Sequence, residues 1–300
     1  MTFKTIAVIS AGDMGHAVGG ALREAGFDVV TCLEGRSALT RERAQRAGLR
    51  ALPDLDAVVT ACDLFLSILP PALAPDLAKQ VAASMRRTGK KPLYADMNAI
   101  SPETVLGIAR TIEAAGAPFV DGGIIGSPPG KGAPPRVFVS GKRAAELEAL
   151  GGPKMDVRIC GVEPGRASAV KMCYAALTKG SNALFTAVLT AAEALGISAE
   201  VRGEFQGSLP DLYKRMQSAV PFLPADAWRY TGEMEEIAAT FEAVGVTPKF
   251  HLGAADIYRL LDTTPFAKET RETLDRSRTL EQAVSVYAKH LKKRDKVPAE

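Results

Sequence analysis

A short apolar segment near the start of the chain leads into a glycine turn of the kind that binds a diphosphate. The turn reads Ser10-Ala11-Gly12-Asp13-Met14-Gly15 and departs from the G-x-G-x-x-G pattern only in its first position. Gly12 would let the backbone approach the diphosphate, and Gly15 would let the following helix pack closely on the strand. A turn that binds nothing has similar residues, but the position between a strand and a helix favours dinucleotide binding through residues 11–15.

The end of the second predicted strand carries residues that could distinguish NAD from NADP. Glu34 lies where an acidic side chain would hold the ribose hydroxyls of NAD. Arg36 and Ser37 follow, and an arginine with a small hydroxyl would suit the 2′-phosphate of NADP. The carboxylate of Glu34 would repel that phosphate unless the Glu34 side chain points away from it. The pattern favours NADP and leaves NAD as the alternative.

Composition limits the classes of function that remain. The 300 residues include 37 basic and 34 acidic side chains, which leave a formal net charge of +3. This near balance argues against a nucleic-acid-binding surface. The four cysteines and three histidines show no metal-ligand spacing, so we expect no metal site. The sequence has no signal-peptide pattern and no apolar stretch of about 18 residues, which predicts a cytoplasmic protein with no membrane partner.

Short apolar strands alternate with helical segments through the first half of the chain and must position these residues. This alternation predicts an α/β fold, with a doubly wound parallel sheet of the Rossmann type over residues 1–164. Strand signals nearly vanish after residue 165, which predicts an all-helical domain over residues 165–300. The strands are expected at 4–10, 28–33, 64–69, 92–97, 119–121 and 137–139, and the later helices at 167–195, 201–217, 224–244, 251–261 and 266–292.

Further motifs follow the glycine turn in a fixed order. The first helix ends at Ala25-Gly26, Leu69-Pro70 ends the third long strand, residues 96–102 read DMNAISP, residues 121–127 read DGGIIGS, and Gly165 leads to Lys171. This ordered set, over residues 4–195, resembles the β-hydroxyacid dehydrogenase family, the relatives of 6-phosphogluconate dehydrogenase. The helical half, with its motifs at 174–180 and 233–238, resembles an uncharacterised C-terminal domain found in one branch of that family.

The resemblance implies roles for the matching positions. It implies that Leu69, Pro70 and Asn98 bind the cofactor together with the glycine turn. It implies that Lys171 is the catalytic lysine. An alcohol that loses a hydride must also lose its hydroxyl proton, and a lysine amine beside the hydroxyl can accept that proton or return it during reduction. Without the resemblance, Lys171 would be interpreted as a salt-bridged surface lysine on a helix.

The chain departs from the family pattern at two places, and both concern the substrate. The family's substrate loop usually reads Ser-Gly-Gly, whereas this chain has Ile125-Gly126-Ser127. The family also places asparagine one turn after the lysine, where this chain has Ala175 beside Tyr174. Tyr174 is therefore a further candidate to contact the substrate. Positions 171, 175, 179 and 182 share one helix face, so Lys179 and Asn182 could replace the missing polar group or bind a longer or more anionic substrate. An ordinary helix-face lysine fits the same pattern.

These observations predict an NAD(P)-dependent oxidoreductase that transfers a hydride between nicotinamide and a small 3-hydroxy acid, or a related alcohol–carbonyl pair. Two alternatives stay open at this point. One is an imine reductase on the same architecture, and the other is a protein that senses NADP without turnover. Because members of the family commonly pair through their helical half, the resemblance also implies a homodimer.

Overall fold

The computed structural model describes residues 3–291. The chain divides between Tyr174 and Ala175 into two compact units, which are described separately below. The division lies inside a long helix, Arg166–Leu195, after the first nine residues of that helix. The domain bounds expected from the sequence, 1–164 and 165–300, place the boundary just before this helix and stay a prediction.

The first unit is built on an eight-stranded sheet with the order β3-β2-β1-β4-β5-β6-β7-β8. Its strands are β1 (Thr5–Ile9), β2 (Asp28–Cys32), β3 (Arg50–Leu52), β4 (Leu64–Ser67), β5 (Leu93–Asp96), β6 (Phe119–Ile125), β7 (Arg136–Ser140) and β8 (Asp156–Ile159). Its helices are α1 (Asp13–Glu24), α2 (Ala38–Arg46), α3 (Leu55–Ala61), α4 (Ala74–Thr88) and α5 (Pro102–Glu113), together with two short 3-10 helices, Pro71–Leu73 and Ala144–Leu150. The predicted Rossmann architecture is therefore confirmed.

Two apolar cores cover the two faces of this sheet, as expected for a doubly wound fold. On one face, α1 packs Val18 and Leu22 with the 3-10 helix residues Leu147 and Leu150. On the other face, the apolar sides of α3, α4 and α5 cover the sheet, and their buried residues include Val58, Val81 and Ile108. Burial on both faces explains why the central strands are continuous apolar runs in the sequence.

The sheet departs from the expected all-parallel arrangement at one pairing. Strands β6 and β7 run antiparallel, with Gly123 opposite Phe138 and Ile125 opposite Arg136. Ten residues, 126–135, join these strands, and so short a connection has no room for the crossover that a parallel pair requires. The short edge strands β3 and β8 were not predicted, because neither has a distinctive apolar pattern.

The second unit contains only helices among its described residues. The long helix α6 (Arg166–Leu195) continues into it and is followed by α7 (Ser198–Ser208), α8 (Pro210–Ala219), α9 (Pro224–Glu242), α10 (Lys249–Asp262) and α11 (Leu280–Lys289), with two short 3-10 helices, Val220–Phe222 and Pro265–Lys268. This confirms the predicted helical C-terminal region. Within residues 3–291, no helix is both long and apolar enough to cross a membrane.

Two predicted helices of this unit differ from those observed. The predicted helix 201–217 is two helices, because Pro210 has no amide hydrogen to donate and the backbone of Leu209 leaves the helical region. The predicted helix 266–292 is reduced to α11 over residues 280–289, and its last position lies outside the described residues. At residues 270–273 the backbone amide of Thr270 donates to the Thr273 hydroxyl, a local bond that competes with helix formation.

Candidate active site

The glycine turn after β1 leaves the first amide groups of α1 open to a ligand. A Cβ atom on Gly15 would lie 1.8 Å from the carbonyl oxygen of Ser10, so only glycine allows the helix to pack this closely on the turn. A Cβ atom on Gly12 would meet nothing closer than the Ser10 hydroxyl at 3.9 Å, so packing within the chain does not require glycine there. This is the shape expected where a diphosphate approaches the backbone.

The start of α1 differs from the starts of three other helices in this unit. The amides at the start of α2, α3 and α5 are capped by the side chains of Ser37, Asp54 and Ser101, at 3.3, 2.8 and 3.2 Å. The cap position of α1 is Gly12, which has no side chain to accept these bonds. The positive end of α1 is therefore open to an external acceptor, and the residues fit the diphosphate of a dinucleotide.

The predicted nucleotide-selective residues follow β2, the neighbour of β1 in the sheet. Glu34 and Ser37 are exposed, and Arg36 is half-buried. Ser37 begins α2, where its hydroxyl caps the helix, and the Arg41 guanidinium donates to the backbone carbonyl of Arg36 at 3.1 Å. Because β1 and β2 are parallel, these residues lie at the same edge of the sheet as the glycine turn.

Strands β4 and β5 are tied together at this edge by Asn98. The Asn98 side chain accepts a hydrogen bond from the Leu69 amide at 2.7 Å and donates to the Ser67 hydroxyl at 2.8 Å. It also donates to the Asp96 carboxylate at 3.0 Å. The buried amide therefore braces the backbone that leads to Pro70. A role of Leu69, Pro70 and Asn98 in cofactor binding stays a prediction. In such a role, the Asn98 side chain would act indirectly, by fixing the backbone at this edge of the sheet.

The surroundings of Asp96 raise the pKa of its carboxyl group. This carboxyl is completely buried at the end of β5. Burial raises its pKa to about 7, and the negative charge of Asp121, its direct partner on β6, acts in the same direction. The hydrogen bonds from Asn98 oppose this shift only in part.

The carboxylate of Asp121 holds the beginning of α6. It accepts hydrogen bonds from the amides of Gly165 and Ser168 at 2.8 and 3.1 Å and from the Ser168 hydroxyl at 2.6 Å. The Ser140 hydroxyl donates to it at 2.9 Å and accepts from the amide of Ala167 at 3.1 Å. A buried anion at the positive end of a helix is a strong cap. Asp121 thus fixes where α6 begins, one turn before Lys171.

Lys171 is fixed against β6 by two further contacts. A Cβ atom on Gly123 would lie 2.8 Å from the Cβ of Lys171 and 3.2 Å from the carbonyl oxygen of Ala167, so glycine is needed for α6 to approach. The Nζ of Lys171 donates to the backbone carbonyl of Ile124 at 2.7 Å. The amine is therefore held at the carboxyl end of β6, at the same edge as the glycine turn.

The predicted substrate loop continues directly from that point. Ile125 is buried in the strand, whereas Gly126 and Ser127 are exposed. Gly126 has a φ of +125°, and an added Cβ would lie 3.2 Å from the Cα of Pro135, so the turn requires glycine. Further along the loop, Lys131 forms an ion pair with Asp13 in the glycine turn at 3.4 Å.

In the second unit, the predicted residues Lys179 and Asn182 lie on α6, and both are half-buried. The Nζ of Lys179 forms an ion pair with Glu233 of α9 and lies 4.6 Å from the centre of the Tyr230 ring. Glu233 is buried and also faces Arg229 at 3.6 Å. Lys179 therefore has a carboxylate partner within its own unit. Substrate binding by Lys179 and Asn182 stays a prediction.

Comparison with known proteins places this geometry in a family. Residues 5–150 match the model of the NAD binding domain of 6-phosphogluconate dehydrogenase, and residues 192–261 match a domain of unknown function. A solved structure described as a conserved protein of unknown function, MTH1747, with structural similarity to 3-hydroxyacid dehydrogenases, is 32% identical. The match covers 86% of this chain and 97% of that one, with a TM-score of 0.61. The chain belongs to the β-hydroxyacid dehydrogenase family.

Other relatives support the same membership or share the fold. A 28.5 kDa uncharacterised protein of Methanothermus fervidus is 31% identical over 58% of this chain, which spans 65% of the length of that relative. The 3-hydroxyisobutyrate dehydrogenase of Mycobacterium tuberculosis shares the fold at 20% identity over 86% of this chain and 93% of that one, with a TM-score of 0.65. A reductive aminase of Aspergillus terreus in complex with NADPH also shares it, at 20% identity over 97% and 99%, with a TM-score of 0.56.

Membership of the β-hydroxyacid dehydrogenase family makes this protein an NAD(P)-dependent oxidoreductase in the branch with the helical C-terminal domain. The fit of the glycine turn to a diphosphate agrees with a nicotinamide dinucleotide as cofactor. Among residues 3–291, no group of three or more histidine, cysteine, aspartate or glutamate side chains could hold a metal ion.

Three residues that shape the site were not selected from the sequence. Asp121 begins a motif that carried the family resemblance, but its capping role depends on Ser168, which is 47 positions away. Asp96 also begins one of these motifs, but it is buried because β5 lies between β4 and β6 in the sheet, which its own sequence does not show. Arg136 follows the proline-rich loop and places its guanidinium 5.4 Å from the centre of the Tyr174 ring. No local pattern predicts a contact of this kind.

Proposed function

We propose that this protein transfers a hydride between a nicotinamide dinucleotide and a small 3-hydroxy acid or a related alcohol–carbonyl pair. The observation that carries the proposal is the position of Lys171, whose amine is held by the carbonyl of Ile124 at the edge of the sheet that also bears the glycine turn. Open α/β sheets bind their ligands outside the carboxyl ends of the strands. The amine thus lies on the side of the sheet where cofactor and substrate are expected.

Lys171 acts in this proposal as the general acid and base. The bound nicotinamide supplies the acceptor or donor of the hydride. Lys171 takes the hydroxyl proton when an alcohol is oxidised and returns it when a carbonyl is reduced. Its hydrogen bond to Ile124 limits the rotation of the side chain, so the amine stays oriented between turnovers. In the same proposal, the backbone amides near Gly126 and Ser127 orient the substrate.

For the cofactor we propose NADP in preference to NAD. Arg36 and Ser37 lie at the beginning of α2, where the helix dipole and the guanidinium both favour an added phosphate. Glu34 is exposed and can turn away from this position. The Kd of NADPH and of NADH should be measured by titrating reduced-nicotinamide fluorescence. Arg36→Ala should weaken NADPH about 10-fold or more and change NADH by less than twofold; equal losses for both dinucleotides would contradict the assignment.

A substrate screen tests the proposed chemistry. Purified protein is incubated with NADP⁺ or NAD⁺ and a panel of 3-hydroxy acids that includes 3-hydroxyisobutyrate and L-serine, and the absorbance of reduced nicotinamide is followed. We expect turnover of at least one acid. The similarity to a reductive aminase makes imine reduction the second candidate, so the reverse assay offers NADPH with a ketone, with and without an amine. Oxidation of NADPH only with the amine would replace our proposal by imine reduction. Cofactor binding without any turnover would indicate a sensor.

We further propose that the protein is a homodimer that pairs through α6. Leu177, Leu184 and Leu195 are 74%, 61% and 72% exposed. Their spacing of seven and eleven residues places them on one face of the helix, and Val188 extends the same stripe. Large apolar side chains in a continuous exposed stripe favour a partner surface, and a second copy of the same stripe is complementary to it.

A further inference from the structure

Arg136 lies on the same face of the sheet as the catalytic lysine. Side chains two residues apart in a strand point to one face, and directly opposed residues of neighbouring strands share a face. Gly123 faces Lys171, so Ile125 and its partner Arg136 face the same way. The alternate residues Val137 and Val139 belong to the core on the opposite face, as this register requires.

The guanidinium of Arg136 is held in place without being neutralised. It stacks at 5.4 Å over the ring of Tyr174, which follows Lys171 by three residues on α6. Arg136 is half-buried, and the carboxylate of Asp156, its direct partner on β8, pairs with Arg158 and not with Arg136. Its neighbour Arg158 offers a contrast. That side chain also stacks on an aromatic ring, but it is paired with Asp156 at 2.6 Å.

Lys171 and Arg136 therefore both lie beside the substrate loop on one face of the sheet. Lys171 reaches the carbonyl of Ile124, and Arg136 lies opposite Ile125 at the far end of that loop. An anion that binds there gains a charge-assisted hydrogen bond, which is stronger than a hydrogen bond between neutral groups. The planar fork of an arginine binds a carboxylate with two parallel hydrogen bonds.

We propose that Arg136 binds the carboxylate of the substrate, with Tyr174 holding its guanidinium. This inference rests on the proposed function and assigns the side chain that binds the acid group. The acid group binds at Arg136, and the hydroxyl then lies toward Lys171. Arg136 thus supplies the anion-binding group that the altered loop, Ile125-Gly126-Ser127, lacks at its first position.

The test compares an acid with a neutral analogue on the complete protein. The probes are 3-hydroxyisobutyrate and 2-methylpropane-1,3-diol, which replaces the carboxylate by an uncharged alcohol. Binding of each probe to the NADPH-loaded protein is measured by calorimetry, and oxidation of each by NADP⁺ is followed separately. The variants are Arg136→Gln, Arg136→Lys and the matched control Arg215→Gln, which removes another arginine stacked on a ring, that of Phe185 at 5.9 Å.

We expect the wild type to bind the acid more tightly than the diol. Arg136→Gln should weaken binding of the acid about 10- to 100-fold, the range of a charge-assisted hydrogen bond, and leave the diol and NADPH within twofold. Arg136→Lys should recover part of the acid affinity, and Arg215→Gln should leave the binding of acid, diol and NADPH within twofold of the wild type. Equal effects on acid and diol, or no binding of the acid to the wild type, would overturn the role of Arg136. Tight acid binding that depends on Arg136 but gives no oxidation would instead refute the proposed reaction.

Discussion

Replacing Gly123 by alanine tests how closely α6 must approach the sheet for Lys171 to act. The new Cβ would lie 2.8 Å from the Cβ of Lys171, whereas ordinary contact begins at 3.4 Å. The Lys171 Cβ is fixed to the helix backbone, so side-chain rotation cannot relieve the overlap. The helix has to move by about 0.6 Å, the difference between these distances.

The size of this shift sets the expected effects of Gly123→Ala. Inserting a methyl group into a packed contact typically costs about 1–3 kcal/mol of folding free energy. A displacement of about 1 Å at a catalytic group can cost about 100-fold in rate, so a shift of this size should lower kcat roughly 10- to 50-fold. The glycine turn of α1 is untouched, and the Kd of NADPH should stay within twofold.

The assay combines three measurements on each protein: urea unfolding, NADPH titration and turnover of the acid found in the substrate screen. Gly107→Ala is the matched control, because its Cβ would meet only the Arg110 guanidinium, at 3.8 Å, within α5. Alanine in a helix interior should stabilise the protein by about 0.5–1 kcal/mol without changing kcat. If Gly123→Ala kept the wild-type kcat while losing stability, the link between helix position and catalysis would be wrong.

Three further predictions concern other parts of the molecule. The folded-state pKa of Asp96, about 7, lies above its ordinary value of 3.8, so between these values the folded state binds more protons than the unfolded state. In urea unfolding, the stability of the wild type relative to Asp96→Asn should therefore fall by at most about 4 kcal/mol as the pH rises from about 4 to 8. A stability difference that does not depend on pH would contradict the raised pKa. Leu184→Glu should convert the homodimer to a monomer in light scattering, and a monomeric wild type would refute the α6 interface. Gly15→Ala should abolish NADPH binding, because its Cβ would lie 1.8 Å from a backbone carbonyl oxygen. Gly20→Ala in the same helix is the control and should bind NADPH normally, because the atom nearest to its Cβ lies at 3.6 Å. NADPH binding by Gly15→Ala would show that the turn tolerates a side chain.

Local sequence patterns were sufficient for six of the eight strands of the sheet and for most helices. The strands of the sheet centre are apolar because both faces are covered, and the glycine turn has a recognisable spacing. The antiparallel return of β7 could also have been inferred, since the ten residues before Arg136 are too few for a crossover. The segment at 266–279 misled the helix prediction, because its threonines form local bonds in place of a helical ladder.

The site was less accessible from the sequence because its parts come from distant positions. Lys171 was selected through a family resemblance, whereas the groups that hold it, Asp121 and the carbonyl of Ile124, are tertiary contacts across 47 residues. Asn98 was selected for the cofactor, and its side chain turns out to bond Leu69, Ser67 and Asp96. Sequence spacing identifies a strand end but does not show which way a side chain there is bonded.

The central claim is that Lys171 moves the proton while the glycine turn holds the cofactor. The most direct measurement is the turnover of Lys171→Met with the screened acid, at saturating NADP⁺, together with the Kd of NADPH for the same preparation. If Lys171 moves the proton, kcat should fall about 100- to 10,000-fold, the range for loss of a general acid or base, while the Kd of NADPH stays within twofold. Turnover within threefold of the wild type would contradict the assignment of Lys171.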